Sequence, residues 1–302
     1  MANLGPSTGA FLRLGSPYSE LDPARFVVVG IPYEGSPAGR EGVARGPSSI
    51  FEASRTIEFF DEENFRSAAR FGIATIEPEF KQMNPDAMAE ELHTLAGTLL
   101  RMGKRGIYIG GDGSISYGLI RSYLNQYRDL TVLQFDAHPN LRSEHRGTRF
   151  GRMSVMNRLR NDLPITQCGI RSLSEEEAEF CDKGKVTTLF AADMARRPLK
   201  SELIPDILSG LSDHVYVNLD MTVFDPSLCP GVNLPQPGGL DWMTVLEILK
   251  AVARDRDIVA MDVVETVPLS DHNVTQVVAG RMAYKVMGFL GQFRKWPPME
   301  VS

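Results

Sequence analysis

Short β-branched runs alternate with amphipathic stretches along the whole chain. Phe26 to Ile31 (FVVVGI) reads as a strand, and so do Gly106 to Ile109, Thr131 to Phe135, Ile165 to Ile170, Val215 to Leu219 and Ile258 to Val264. None shows period-2 polarity, which is the pattern of strands buried on both faces. Between them lie helical signals. Asn84-Pro85 is an N-cap followed by a proline at the first helical position, and Met88, Leu92, Leu95 and Leu99 then repeat at helical spacing. Gly46-Pro47 opens a second helix over Ser48 to Ser54; Trp242 to Val252 and Val274 to Phe293 follow the same rule. Regular alternation of strand and helix predicts a parallel sheet with helices on both faces. No linker, repeat or low-complexity segment interrupts it, so the reading is one domain over residues 1–302. Residues 1–20 and the last few read as arms.

Composition narrows the class. The chain has 302 residues, 43% hydrophobic and 23% charged, which is ordinary for a folded protein. A net charge of −6 argues against a nucleic-acid binder, which needs a basic face, and leaves cationic small molecules open. Cys168, Cys181 and Cys229 are too few and too scattered for a disulfide framework, which fits a reducing compartment. The start, MANLGPSTGAFLRLGS, has no apolar h-region, and no run approaches the ~18 apolar residues of a membrane span. A cytoplasmic protein without membrane contact is the expectation.

Chemistry collects at the strand ends, where ligands bind in sheets of this kind. One strand runs into Gly110-Gly111-Asp112-Gly113-Ser114, and the next into Asp136-Ala137-His138-Pro139-Asn140. The last two run into Asp220-Met221-Thr222 and into Asp262 through Glu265. Residues i and i+2 of an extended segment share a side, so Asp136 and His138 form half of a metal site, with Asp220 a natural third ligand. The competing reading makes both aspartates helix or turn caps and His138 a buried, satisfied histidine.

These segments resemble the ureohydrolases, the family of arginase and agmatinase, from about Phe26 to about Phe293. Gly30-Ile31-Pro32-Tyr33 with Gly42 to Pro47 is similar to the family's first motif, in its agmatinase form. Gly110 to Ser114 resembles Gly-Gly-Asp-His-Ser, and Asp136 to Asn140 resembles Asp-Ala-His-x-Asp. Asn218 to Pro226 resembles Ser-x-Asp-x-Asp-x-x-Asp-Pro, Pro230-Gly231 and Pro237-Gly238-Gly239 the loop after it, and Asp262 to Pro268 the last motif. The resemblance implies a three-layer α/β/α fold around a mostly parallel eight-stranded sheet. It also implies two manganese ions sharing a hydroxide that attacks a guanidinium carbon, with homo-oligomers, commonly trimers or hexamers. Loops 26–47 and 229–239 would shape the substrate pocket.

The departures from that pattern bear on function. Of six implied metal ligands, Asp136, His138 and Asp220 remain; the others are Gly113, Asn140 and Thr222. Two divalent ions would face two carboxylates instead of four, an uncompensated charge in a low-dielectric pocket. A single ion on Asp136, His138 and Asp220 (Mn, Zn or Ni), or none, is therefore expected. Phe150 stands where the family has a proton-shuttle histidine, and His145 reads as a solvated surface residue. Glu265 is retained; by resemblance it pairs with a guanidinium, and otherwise it would pair internally with Arg171 or Arg281. Asp112 and Asp225 read as turn and cap residues, and Arg40 and Arg45 as loop or subunit-contact residues.

Three functions follow. The first is a non-catalytic or repurposed member that binds a small guanidino or amidine ligand at Glu265, Asn140 and Thr222, alone or in complex with an active paralogue. The second is an active agmatinase-type amidinohydrolase with one metal, Asp136, His138 and Glu265 being its catalytic groups. The third is a single-metal amide hydrolase like the histone deacetylases.

Overall fold

The computed structural model describes residues 9–35, 39–80 and 84–299. All six buried runs form strands, and four further strands appear. In chain order they are β1 (Phe26–Ile31), β2 (Phe60–Asp61), β3 (Arg66–Ser67), β4 (Ile73–Ile76), β5 (Arg105–Gly110), β6 (Leu130–Phe135), β7 (Ile165–Ile170), β8 (Val186–Phe190), β9 (His214–Asp220) and β10 (Asp257–Val264). Eight of them make one sheet in the order β4-β1-β5-β10-β9-β6-β7-β8, and every neighbouring pair is parallel. β2 and β3 form a separate antiparallel hairpin.

Helices cover both faces, which explains the continuous apolar runs. Along β1, Phe26 and Val28 point into one core with Ile50, Phe51 and the Val274–Phe293 helix; Val27, Val29 and Ile31 point into the other with Leu92, Leu99 and Leu119. The molecule is thus a three-layer α/β/α sandwich. The Pro85–Arg101 helix starts where its sequence says: Asn84 Oδ1 accepts the Asp86 N–H at 2.9 Å, Pro85 follows, and Met88, Leu92, Leu95 and Leu99 are buried. The helix opened by Gly46-Pro47 spans Gly46–Ser54, and the one from Trp242 runs to Asp255.

Of the segment read as an N-terminal arm, residues 1–8 lie outside the described residues. From Phe11 the chain docks: Phe11 packs edge-on against Phe51, and the N–H groups of Phe11 and Leu12 donate to Thr75 Oγ1 and Ser54 Oγ. At the other end Trp296 packs against Phe26 and Phe71. Among the described residues, no helix is long and apolar enough to cross a membrane.

Strand order positions the site. β5, β10, β9 and β6 are adjacent at the centre of the sheet. They end in Gly110, Val264, Asp220 and Phe135, so their carboxyl ends present Asp112, Glu265, Asp220 and Asp136 to one edge.

Candidate active site

Two turns bring the pocket together. After β5 the chain bends at Gly111, where a Cβ would lie 2.1 Å from the Tyr33 carbonyl oxygen; only glycine lets the two segments touch. After β10 the chain turns at Glu265, which has a φ of 69°, and after β6 it turns at Asn140, with a φ of 56°. Two non-glycine residues held in the left-handed region are a strain often found at functional sites. The Glu265 N–H donates to the Gly111 carbonyl at 2.8 Å, and its own carbonyl accepts from the Asn233 N–H at 3.2 Å, which fixes the turn.

Asp136 is fully buried and saturated. Its Oδ1 accepts the His138 N–H at 2.8 Å and the Thr222 hydroxyl at 3.0 Å. Its Oδ2 accepts the Asn140 amide at 2.7 Å and the Gln134 amide at 2.9 Å. Gln134 is held in turn by Gln167, whose Nε2 donates to Gln134 Oε1 at 2.6 Å, and Thr188 donates to Gln167 at 3.0 Å. A carboxylate has about four lone-pair sites, and four donors occupy them here. Asn140 and Thr222, two of the substituted positions, thus act as hydrogen-bond donors to Asp136. The His138 ring has its Nδ1 3.5 Å from Asp136 Oδ1. Asp220 Oδ1 accepts the Thr222 N–H at 2.8 Å. Burial pushes the Asp220 carboxyl well above the usual range, and the neighbouring Asp136 and Glu265 charges add to it.

Glu265 lies at the centre, with 0% exposure. Its Oε1 accepts the Gly113 N–H at 2.7 Å, and its Oε2 accepts Nη1 of Arg152 at 2.5 Å. The Asn233 side chain adds a further hydrogen bond. Burial raises the Glu265 carboxyl, and the Arg152 charge works against that rise. Arg152 is itself 3% exposed. Burial disfavours its charged form, but Glu265, Asp220, Asp112 and Asp136 outweigh burial and hold its pKa above the ordinary value. The internal partner of Glu265 is therefore Arg152, not the Arg171 or Arg281 suggested by sequence. Arg171 donates to the carbonyls of Gly169, Thr222, Val223, Phe224, Gln236 and Pro237, tying the loop after β9 to the loop at 236–237. Arg281 reaches Glu62 on the hairpin, on another part of the molecule.

The remaining predicted residues have local roles. Asp112 accepts the Ser114 N–H at 2.8 Å and caps the turn after β5. Asp225 accepts from the N–H groups of Ser227, Gly238 and Gly239 and from the Ser227 hydroxyl, and is held at about 2, chiefly by Ser227. Arg40 donates to the Pro230 carbonyl at 2.9 Å, and residues 36–38 of its loop lie outside the described residues. His145 is half-buried, with its Nδ1 3.0 Å from Arg142 Nη1; burial and then Arg142, Arg146 and Arg152 hold its pKa down. The Arg158 guanidinium lies 4.0 Å from the centre of the Phe150 ring and 3.3 Å from that of Tyr117. Among the described residues, no three His, Cys, Asp or Glu side chains converge as a group able to hold a metal ion.

A sequence model of the Arginase family matches residues 24–288. This chain belongs to the arginase family. An N(1)-aminopropylagmatine ureohydrolase of Thermus thermophilus is 34% identical over 292 residues, 95% of this chain and 96% of that protein. An agmatinase of Pyrococcus horikoshii is 24% identical, over 90% of this chain and 94% of that one. The agmatine ureohydrolase of Thermoplasma volcanium superposes with a TM-score of 0.85 at 26% identity, covering 92% of this chain and 94% of the other.

Within the arginase-family frame, the strand-end carboxylates and the histidine were legible in sequence, and Arg152 was not. It sits on the three-residue turn Arg152–Ser154, in a loop that also carries Arg142, Arg146 and Arg149. The one signal was charge: carboxylates kept at four strand ends need a cation from somewhere. Nothing local says which arginine supplies it.

Proposed function

We propose that this arginase-family protein is a non-catalytic member, its pocket held together by hydrogen bonds and one internal guanidinium rather than by divalent ions, and that the chain works as one arginase-like domain in an oligomer. The observation that carries this reading is Asp136. A bridging ligand needs free lone pairs, and all of those on Asp136 are taken by His138, Thr222, Asn140 and Gln134. The residues at the substituted ligand positions point the same way. Asn140 and Thr222 donate instead of ligating, and Gly113 offers no donor atom. A Cβ at 113 would sit 3.3 Å from Glu265 Oε1, a tight contact, and 3.5 Å from the Arg152 Cβ, an ordinary one. The two-ion arrangement does not fit this donor set. A buried guanidinium among the carboxylates adds repulsion against any further cation.

The test measures metal content and urea release together. Protein made without a chelating tag, then loaded with Mn²⁺, Zn²⁺ or Ni²⁺, should hold well under one ion per chain. It should release no urea from agmatine or N1-aminopropylagmatine, the substrates named for its relatives. Two ions per chain with urea release would overturn the reading. One ion, lost in Asp136→Asn or His138→Ala, would instead establish the single-metal hydrolase. Gly113→His with Asn140→Asp, Thr222→Asp and Arg152→Gln should gain manganese that the first three changes alone do not.

A further inference from the structure

We infer that a small monocarboxylate with an apolar body binds at the amino edge of the sheet, in the cavity between Lys104 and Arg25. The candidate active site lies at the opposite, carboxyl edge. The inference therefore goes beyond the metal-free reading and does not depend on it.

Three neighbouring strands build this edge. Arg25 stands just before β1, Lys104 just before β5 and Phe71 two residues before β4, and β4, β1 and β5 are adjacent in the sheet. The Pro85–Arg101 helix delivers Lys104. It closes through a left-handed glycine: Gly103 has a φ of 68°, its N–H donates to the Leu100 carbonyl at 2.9 Å, and the Lys104 N–H donates to the Leu99 carbonyl at 3.0 Å. The helix end is thereby satisfied, and the direction in which Lys104 leaves it is fixed. Lys104 Nζ then donates to the Asp22 carbonyl at 2.6 Å and to the Ala24 carbonyl at 2.8 Å. An ammonium has three donors, so one remains. The Arg25 guanidinium lies 5.7 Å from the centre of the Trp296 ring. Among the described residues, neither cation makes an ion pair. Burial lowers the Lys104 pKa; the Asp22 charge opposes that and the Arg25 charge adds to it. A carboxylate bound between the two cations relieves their repulsion.

The cavity sets the rest of the ligand. Its volume of 310 Å³ is near the lower bound for small-molecule sites. The ionisable residues of its lining are Arg25, Lys104 and Asp22, two cations against one carboxylate, which suits a monoanion better than a dianion. The walls are apolar: Phe71, Met102, Pro297, Pro298 and Met299. Met102 is 38% exposed, an apolar wall left open for a hydrocarbon body to cover. The two prolines hold their own backbone angles, so that wall stands before a ligand arrives.

The experiment titrates benzoate into the full chain, labelled with ¹³C at the methionine methyls. Calorimetry should count one benzoate per chain. The methyl signals of Met102 and Met299 should move saturably, while that of Met221, between Asp220 and Thr222, stays in place. Inorganic phosphate lacks the apolar body and benzylamine has the opposite charge, so each should bind more weakly by about tenfold or more. Arg25→Gln and Lys104→Gln should each raise the benzoate Kd by about tenfold or more, the effect of losing a hydrogen bond from a charged donor. Glutamine at 104 retains N–H donors for the Asp22 and Ala24 carbonyls. Should Lys104→Gln still fail to fold, Arg25→Gln decides, because Arg25 is exposed. No saturable binding, equally tight phosphate or benzylamine, an unchanged Kd in Arg25→Gln, or a response at Met221 in place of Met102 and Met299 would each overturn the inference.

Discussion

Among the described residues, two long cationic side chains are buried, Arg152 in the pocket and Lys285 beneath the β2–β3 hairpin, and their surroundings differ in kind. Lys285 Nζ touches Asp61 at 3.0 Å, Glu62 at 2.9 Å and Glu63 at 3.1 Å. Lys250 and Arg281 complete the set through Glu63 and Glu62, so three carboxylates meet three cations. There the Lys285 hydrogen bond holds the Glu62 carboxyl below its usual range; for Glu63, burial pulls upward and the two lysines outweigh it. In the pocket, four buried carboxylates surround Arg152, Glu265 pairing with it at 2.5 Å, and the carboxyls of Asp220 and Glu265 are pushed up. The hairpin cluster is balanced and stabilises the fold. The pocket cluster instead gathers carboxyls whose charged forms burial and mutual repulsion disfavour.

The largest break in the comparison is Lys285→Met. It leaves Asp61 buried beside two glutamates with no central cation, and should cost ~3–5 kcal/mol in urea unfolding. A loss below ~1 kcal/mol would mean that the hairpin cluster contributes no more than a surface pair.

Asp262 gives a third case, a buried carboxylate with no ion pair among the described residues. It accepts from Tyr216 OH at 2.8 Å and from the Asn218 amide at 2.6 Å, and burial raises it to about 6. Its folded pKa lies above its unfolded value, so the protonated form is favoured in the folded state. Its contribution is therefore best at low pH and is lost as pH rises from about 4 to about 6, by ~3 kcal/mol over that window. The stability difference between wild type and Asp262→Asn, followed across pH 4–7, should shift by that amount toward the variant. Glu62 and Glu63 have the opposite sign: their contribution is full above the unfolded glutamate range and is lost as pH falls through their lowered pKa values. A flat difference for Asp262→Asn would show that its hydrogen bonds offset burial completely.

A smaller effect separates the two clusters most directly. Asp220→Asn removes a carboxyl whose charged form burial and the neighbouring carboxylates disfavour, while its amide oxygen can still accept the Thr222 N–H. At pH 8 it should raise Tm, whereas Glu63→Gln, which removes a paired charge, should lower it. A fall in Tm for Asp220→Asn would mean that Asp220 is already neutralised by Arg152.

The same contrast explains what the sequence disclosed. Strands buried on both faces announce themselves by composition, so β1, β5, β6, β7, β9 and β10 were legible from their apolar runs. The edge strands β4 and β8 were not: one is four residues long and the other, Val186–Phe190, is only partly buried. Strand-end carboxylates were legible because they lie next to those runs. Arg152 meets Glu265 across 113 residues of sequence. No spacing rule connects them, and Arg171 and Arg281 were equally plausible until the fold placed them elsewhere. Four donors on Asp136 were likewise out of reach, because Asn140 and Thr222 read as lost ligands before their hydrogen bonds were seen.

The smallest prediction concerns the strap that carries Arg152. Phe150 and Tyr117 both contact the Arg158 guanidinium, at 4.0 and 3.3 Å, and burial lowers the pKa of that arginine. A half-buried cation–π contact is worth ~0.5–1 kcal/mol. Phe150→Leu keeps the apolar bulk and loses the ring face, so it should cost about that much in urea unfolding. The Arg152–Glu265 pair is fixed by its own charge-assisted bond, so an NMR signal for slow Nε–Cζ rotation of the Arg152 guanidinium should be present in wild type and survive the change. Loss of that signal in Phe150→Leu would show that strap and pocket order as one unit. The tether, rather than the carboxylate field, would then be what keeps Arg152 in place.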